Sequence, residues 1–266
     1  MKVITIFSGK GGVGKTTFSI MLASWLKYKL GERVFAYDFE SPESRMVNRR
    51  NQDLNFLKMG SPILNYFIGD NKDFYPIGPI KARHEGYSPN DLDAIAKSLL
   101  QAKNTGNDGY IICDFPGRFE SKEAVYTLVK RGLIDLMVFP IQPEEQSIAS
   151  MFVINNYIKQ PNFITTGKKQ SIYCFWNMVT RNDRVGKQDI LGNYELLFEK
   201  MNIPFSKTRI HFVDSVKRLP THQSMVVSTL CYPEINLIKA FPPVAGSEEP
   251  YINNLFREIK ELADAV

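Results

Sequence analysis

The stretch Gly9-Lys10-Gly11-Gly12-Val13-Gly14-Lys15-Thr16-Thr17 fits the pattern G-x-x-x-x-G-K-[ST], a glycine-rich loop that binds nucleotide phosphates. A short apolar, β-branched run at residues 2–7 precedes it and is typical of a buried parallel strand. Apolar residues at helical spacing follow it, up to Gly31. Because a strand, a glycine loop and a helix occur in this order, the sequence predicts a site for a nucleoside triphosphate near its amino terminus.

The residue types of this loop suit a polyphosphate. Its glycines lack Cβ atoms, so backbone N–H groups can crowd around phosphate oxygens, and the positive end of the following helix points at the same anion. We expect Lys15 to bridge the β- and γ-phosphates, the Thr16 hydroxyl to ligate Mg²⁺, and Thr17 to lie near the α-phosphate. The predicted nucleotide-binding residues of the loop are Gly9, Gly11, Gly12, Val13, Gly14, Lys15, Thr16 and Thr17.

Composition limits the class of protein. A length of 266 residues favours one domain, here expected to span residues 1–266. The net charge of +5 permits contact with nucleic acid but does not by itself indicate it. The three cysteines lack C-x-x-C spacing, which favours buried free thiols in a reducing compartment. No signal peptide or long apolar run is evident, so we expect a soluble, cytoplasmic protein.

Strand-like and helix-like patterns alternate along the chain. Alternation of this kind predicts an α/β fold, the three-layer P-loop NTPase fold, with a mostly parallel twisted sheet and helices on both faces. The predicted strands after the loop are residues 33–38, 110–114, 134–140 and 171–176, with 208–213 as a further candidate, and the predicted helices include 90–103, 146–159 and 189–201. Residues 60–89 contain many glycines and prolines, and we expect an irregular segment there.

Two aspartates each end a predicted strand, at the sheet edge where α/β proteins bind ligands. Asp114 ends an apolar run typical of a Walker B strand and is expected to hold the Mg²⁺ shell, mainly through water. Gly117 completes D-x-x-G and could present its N–H to the γ-phosphate. Asp38 could orient the attacking water, but the alternative of a helix cap for residues 41–49 is strong.

Taken together, these residues resemble the ParA/MinD-like partitioning ATPases, whose phosphate loop carries an additional lysine. Lys10 matches that lysine, Asp38 the water-positioning aspartate, and Asp114 the Walker B aspartate. Weaker similarity extends to residues 139–144, 176–179 and 216–220. Residues 40–43, Phe115 and Arg118 depart from the family pattern, which leaves the partner less defined.

The resemblance implies a mechanism. In the family, the additional lysine crosses to the nucleotide of a partner subunit in an ATP-bound homodimer, so Lys10 resembles an arginine finger supplied in trans. The catalytic residues are then Lys10, Lys15 and Asp38, with Thr16 and Asp114 at Mg²⁺. Asn177 is expected to read the edge of adenine with its amide, although it could instead be an ordinary turn former at the end of a strand.

Three functions remain open. The first is a ParA-like ATPase that positions DNA or a DNA-transfer apparatus, with a stimulating DNA-binding partner and non-specific DNA contacts by basic clusters. The second is a MinD-like ATPase on a membrane surface, which the balanced charges of the carboxyl-terminal helix disfavour. The third is a metal-cluster carrier or a small-molecule ligase. The candidate DNA-contacting residues are Arg45, Arg49, Arg50, Arg181, Arg184, Lys187, Lys217 and Arg218.

Overall fold

The computed structural model describes residues 1–39, 44–80, 87–104, 108–117, 121–159, 171–180, 190–211 and 226–266. Within these ranges the strands are β1 (Lys2–Ile6), β2 (Val34–Asp38), β3 (Ile77–Pro79), β4 (Tyr110–Asp114), β5 (Leu136–Ile141) and β6 (Ser171–Trp176). The helices are α1 (Lys15–Ser24), α2 (Arg45–Lys58), α3 (Pro62–Ile68), α4 (Pro89–Lys103), α5 (Ser121–Lys130), α6 (Glu145–Ile158), α7 (Ile190–Lys200), α8 (Glu234–Ala240) and α9 (Ile252–Asp264).

The described strands form one parallel sheet in the order β3-β2-β4-β1-β5-β6. Strand β1 lies inside the sheet between β4 and β5, so the loop that follows it opens at the middle of the carboxyl edge. Strands β4 and β5 are buried along their whole length, as expected for central parallel strands covered on both faces. The predicted α/β fold with a mostly parallel sheet is confirmed.

Helices cover both faces of this sheet. On one face, apolar residues of α4, α5 and α6 form a large core with the strands. On the other face, α1 and α9 pack on the strands, and α9 buries Ile252, Leu255, Phe256 and Ile259. The carboxyl-terminal helix therefore docks on the core through its apolar face. None of the helices in the described part of the chain is long and apolar enough to cross a membrane.

The prediction that residues 60–89 are irregular is wrong at α3 (Pro62–Ile68) and β3 (Ile77–Pro79). Pro62 begins α3 at a position that needs no N–H donor, and Gly69, with φ of 53°, ends it. Strand β3 then pairs with β2, with Ala36 opposite Ile77, and forms one edge of the sheet. The glycines and prolines thus separate short elements instead of excluding them.

The end of α1 agrees with the sequence prediction. Helix α1 continues into a π-helical turn, Trp25–Lys29, before Gly31 adopts φ of 73°, so the predicted stop at Gly31 is confirmed. The candidate strand at residues 208–213 is wrong for its described residues, which form no strand and have one isolated bridge, between His211 and Val179; residues 212–213 lie outside the described ranges.

Candidate nucleotide-binding site

The phosphate loop connects β1 to α1 and adopts a conformation that its glycines permit. Gly12 and Gly14 have φ of 78° and 81°, in the left-handed region where side chains are strained. Gly14 is the N-cap of α1, no described side chain caps this end, and no acidic residue lies in the first turn. The positive end of α1 therefore faces the loop without a competing carboxylate, which is the arrangement that binds phosphate.

Lys15 lies at the base of this loop. Its side chain is buried, and its Nζ donates a hydrogen bond of 2.8 Å to the carbonyl oxygen of Lys10. This hydrogen bond ties the beginning of the loop to the Lys15 ammonium group at its end. Because phosphate oxygens would lie between the loop amides and this ammonium, the geometry favours a bound polyphosphate.

The segment after β4 closes on the same loop. A Cβ atom added to Gly117 would lie 2.4 Å from the carbonyl oxygen of Lys10 and 2.7 Å from the backbone nitrogen of Gly11. Only glycine fits this approach without a shift of backbone. The backbone at Gly117 therefore approaches the backbone of the phosphate loop closely.

Asp38 and Asp114 end neighbouring strands as direct register partners, and both are buried. Asp114 accepts a 3.0 Å hydrogen bond from the Ser19 hydroxyl on α1. Asp38 accepts a 3.0 Å hydrogen bond from the backbone N–H of Val47 in the first turn of α2. Asp38 therefore caps the first turn of α2, which was the alternative interpretation of this residue. The hydrogen bond holds its carboxylate on the face of the sheet that carries α1 and α2.

The oxygen donors of this edge suit a hard cation. The buried carboxylates of Asp38 and Asp114, when ionised, repel each other unless a positive charge lies near. Thr16, in the first turn of α1, supplies a hydroxyl as a further oxygen donor. Among the described residues, no group of three or more His, Cys, Asp or Glu side chains is gathered as a metal site. Mg²⁺, which retains several waters and binds substrate phosphates, fits such a sparse donor set.

A cavity of about 510 Å³ extends from the loop toward α2. Its lining on α2 consists of polar residues one and two turns apart, Arg45, Asn48, Arg49 and Gln52, which together form one stripe of the helix. This wall was not predicted from the sequence, although polar residues at helical spacing after Asp38 were a signal for it. The other lining residues are Gly11, Gly12, Gly14, Lys15, Thr16, Thr17, Ile20, Gly117, Met178 and Val227.

Lys10 forms an ion pair within its own chain. Its Nζ contacts the carboxylate of Glu144, which lies at the start of α6, and both side chains are partly exposed. The pairing of Lys10 with Glu144 was not predicted, because the two residues lie 134 positions apart and no local sequence pattern connects them. In this single chain, Lys10 is therefore paired and not simply solvated.

Asn177 braces the loop. Its Nδ2 donates a 2.7 Å hydrogen bond to the carbonyl oxygen of Val13, and both residues are buried. The same nitrogen would lie 2.9 Å from a Cβ atom added to Gly14. The neighbouring Met178 lines the cavity. One amide hydrogen of Asn177 is thus used in holding the loop.

Two of the candidate DNA-contacting arginines have intramolecular partners. Arg49 pairs with the buried Asp53 at 3.0 Å and donates to the carbonyl oxygen of Val227. Arg50 donates to the Thr229 hydroxyl and backbone and to the Tyr75 carbonyl. Arg45 is exposed, whereas Arg49 and Arg50 are partly buried. Residues 181, 184, 187, 217 and 218, like residues 216–220 and 40–43, lie outside the described ranges.

The three cysteines are free and buried, as predicted. Burial raises the pKa of the thiols of Cys113 and Cys174 above the ordinary value, and it raises that of Cys231 to about 12. Thiols in this state are poor metal ligands because the thiolate form is scarce.

Comparison with known proteins gives consistent matches. The sequence profile of the CobQ/CobB/MinD/ParA nucleotide binding domain matches residues 4–226. The septum site-determining protein MinD of Thermotoga maritima is 33% identical over 129 residues, which is 44% of this chain and 45% of MinD. The chain spans about half the length of the curated relatives it matches.

Solved structures share the fold over the whole length. The structure of pNOB8 ParA has a TM-score of 0.60 at 17% identity, covering 99% of this chain and 98% of ParA. That protein has also been solved bound to nonspecific DNA. MinD of Pyrococcus horikoshii, complexed with Mg-ADP, has a TM-score of 0.55 at 18% identity, covering 99% of this chain and 98% of MinD.

Proposed function

Because the chain belongs to the CobQ/CobB/MinD/ParA nucleotide-binding family, we propose that it is a Mg²⁺-dependent ATPase of the ParA type that dimerises around ATP. In this proposal, the nucleotide cycle drives DNA partition or conjugative DNA transfer, and residues 1–266 act as one domain. The observation that carries the proposal is the shared strand edge, where the uncapped end of α1, the Lys15 ammonium and two buried aspartates lie together.

Each residue of this edge has a role in the proposal. The loop amides and Lys15 hold the β- and γ-phosphates, and the Gly117 N–H contacts the γ-phosphate. Thr16 and Asp114 hold Mg²⁺, which would neutralise charge on the phosphates. Asp38 orients the attacking water, and its hydrogen bond from Val47 keeps the carboxylate in place for that task. Asn177 contacts adenine in addition to bracing Val13.

Lys10 acts in trans in the proposed dimer. To do so it must leave Glu144, and ion pairs between partly exposed side chains contribute only about 0–1 kcal/mol. The phosphates of the partner's ATP offer a more concentrated negative charge than one carboxylate. Binding of ATP by two subunits therefore favours release of Lys10 from its own chain and its approach to the other site.

The partners of this cycle are inferred from the family. We propose a DNA-binding protein that stimulates hydrolysis, sequence-independent contact with DNA, and a cytoplasmic location. Support for a membrane-surface role is weak because α9 buries its apolar face in the core. A metal-cluster carrier is also weakly supported, since the three cysteines are buried and free.

Analytical sedimentation with a non-hydrolysable ATP analogue tests the proposed dimer. The wild-type chain should dimerise with the analogue, and Lys10→Ala should bind it with little loss of affinity but remain monomeric. Lys15→Ala should instead lose nucleotide affinity, which calorimetry measures. A Lys10→Ala dimer as tight as the wild type would contradict the trans role.

Retention of the protein on DNA tests the proposed sequence-independent contact with DNA. Non-specific binding through phosphates should need ATP and should weaken steeply as salt rises, because counterions are released from the DNA. Binding that does not require ATP, or that does not weaken with salt, would contradict it. A protein that dimerises and hydrolyses ATP without binding DNA would retain the ATPase proposal and exclude the DNA role.

A further inference from the structure

An aromatic residue immediately follows each of three central strands. Phe7 follows β1, Phe39 follows β2 and Phe115 follows β4. All three side chains are at most 1% exposed and belong to the core on the α4–α6 side of the sheet. Two of these positions are next in sequence to Asp38 and Asp114, the carboxylates of the proposed site.

The rings of Phe39 and Phe115 are stacked. Their centroids lie 4.0 Å apart and their planes differ by 14°. Phe7 contacts Phe115 edge-on at 6.4 Å, and Tyr87 contacts Phe39 edge-on at 6.2 Å. The Tyr87 hydroxyl also donates a 2.5 Å hydrogen bond to the carbonyl oxygen of Phe39. The stack is thus supported on both sides.

These rings lie on the opposite face of the sheet from the two carboxylates. Side chains alternate along a strand, so Asp38 and Asp114 face α1 and α2 while the following rings face α4–α6. The backbone N–H of Phe39 donates a 2.9 Å hydrogen bond to the carbonyl oxygen of Asp114, just past the last register pair of β2 and β4. A displacement of the Phe39 or Phe115 ring therefore also displaces the peptide group that joins this residue to Asp38 or Asp114.

The two strand ends need such support for an electrostatic reason. Asp38 and Asp114 are buried on directly paired residues, and two ionised carboxylates so placed repel in a medium of low dielectric wherever no cation neutralises them. The ladder between the strands ends where this repulsion acts. A rigid contact on the opposite face opposes separation of the strand ends, because close-packed rings resist displacement.

We propose that the Phe39–Phe115 stack, braced by Tyr87, is a positioning device that fixes the spacing between the water-orienting Asp38 and the metal-shell Asp114. This inference rests on the proposed ATPase function. The rings do not touch the nucleotide. The two rings act through the backbone of Asp38 and Asp114, to which they are joined. We therefore expect them to affect the rate of hydrolysis more than the affinity for ATP.

The test is Phe115→Leu in the full chain, with Phe198→Leu as a matched control. Phe198 is also fully buried and stacks on Phe205 at 4.8 Å and 7°, but it lies on α7 against Trp176 of the edge strand β6, away from β2 and β4. Both variants remove one ring from a stacked pair and keep an apolar side chain. Thermal unfolding, affinity for a non-hydrolysable ATP analogue and single-turnover hydrolysis are measured on each.

We expect both variants to lose similar thermal stability and to bind the analogue within about threefold of the wild type. Hydrolysis should fall about tenfold or more in Phe115→Leu only, because small displacements of reacting groups have large effects on rate. Hydrogen exchange at the Phe39 amide should accelerate in that variant and not in the control. Equal hydrolysis in the wild type and Phe115→Leu, or an equal loss in both variants, would overturn the proposal.

A milder variant decides the question if Phe115→Leu does not fold. Tyr87→Phe keeps the ring and removes only the hydroxyl that holds the Phe39 carbonyl. We expect a severalfold slower hydrolysis with unchanged affinity, and an unchanged rate would refute the positioning role. A wild-type protein that does not hydrolyse ATP would instead refute the proposed function, so the two failures are distinguishable.

Discussion

Substitution of Gly117 by alanine should damage the site without unfolding the protein. The new Cβ atom would lie 2.4 Å from the Lys10 carbonyl oxygen, whereas real Cβ contacts are essentially never below 3.0 Å. The two segments must therefore separate by at least about 0.6 Å, because the nearest atoms belong to the backbone of Lys10 and Gly11 and cannot rotate away. The Lys10 carbonyl also accepts the hydrogen bond of Lys15, so the shift reaches the ammonium that would hold the phosphates.

The size of the effect follows from that displacement. A misplacement of about 1 Å can cost about a hundredfold in rate, so a shift of at least 0.6 Å should lower kcat/KM for ATP by roughly ten- to a hundredfold. This corresponds to about 1.4–2.8 kcal/mol of transition-state stabilisation. Steady-state hydrolysis over a range of ATP concentrations measures it, and circular dichroism checks the fold.

Gly246→Ala provides the control for this experiment. Gly246 has φ of 86° with open space around its added Cβ atom, so alanine there introduces backbone strain in the segment between α8 and α9, which does not line the nucleotide cavity. It should lower the melting temperature by a few degrees and leave kcat/KM unchanged. If Gly117→Ala retains kcat/KM within about twofold of the wild type, the close approach of the two segments is not part of the working site.

Two further substitutions test the contacts around the loop. Glu144→Gln removes the intramolecular partner of Lys10, so ATP-dependent dimerisation should tighten by up to about fivefold, and weaker dimerisation in sedimentation would contradict this. Asn177→Ala removes the hydrogen bond to Val13 and should weaken ATP binding by roughly 5- to 150-fold, from a loss of about 1–3 kcal/mol. Calorimetry with tripolyphosphate separates the two roles of Asn177, since only the loop brace affects that ligand. Unchanged affinity for both ligands would exclude both roles.

Local patterns in the sequence were sufficient for the main features of the fold. The phosphate loop needs glycine at positions with positive φ, and Gly12 and Gly14 adopt such angles. The buried parallel strands are continuous apolar runs, and the amphipathic pattern of α9 identifies the face that docks. In each case the physical cause lies within a few neighbouring residues and can therefore be read directly from them.

Features that depend on distant partners were missed. The Lys10–Glu144 pair joins residues 134 apart, and the pairing of Arg50 with Thr229 joins residues 179 apart. Strand β3 has only three residues, too few to show a pattern between prolines. The Phe39–Phe115 stack was also not foreseen, because two separate aromatic residues become neighbours only once β2 and β4 pair.

A mixing experiment tests most directly the central claim that the two lysines of the loop serve different active sites. Lys10→Ala subunits keep Lys15 and can bind ATP, whereas Lys15→Ala subunits can only donate Lys10 to a partner. In a twofold dimer with Lys10 in trans, mixing the two inactive variants in equal amounts should restore up to about half of the wild-type hydrolysis, since neither variant dimerises with itself and each mixed dimer has one complete site instead of two. Activity no higher than the sum of the two separate variants would show that Lys10 does not complete the site of its partner.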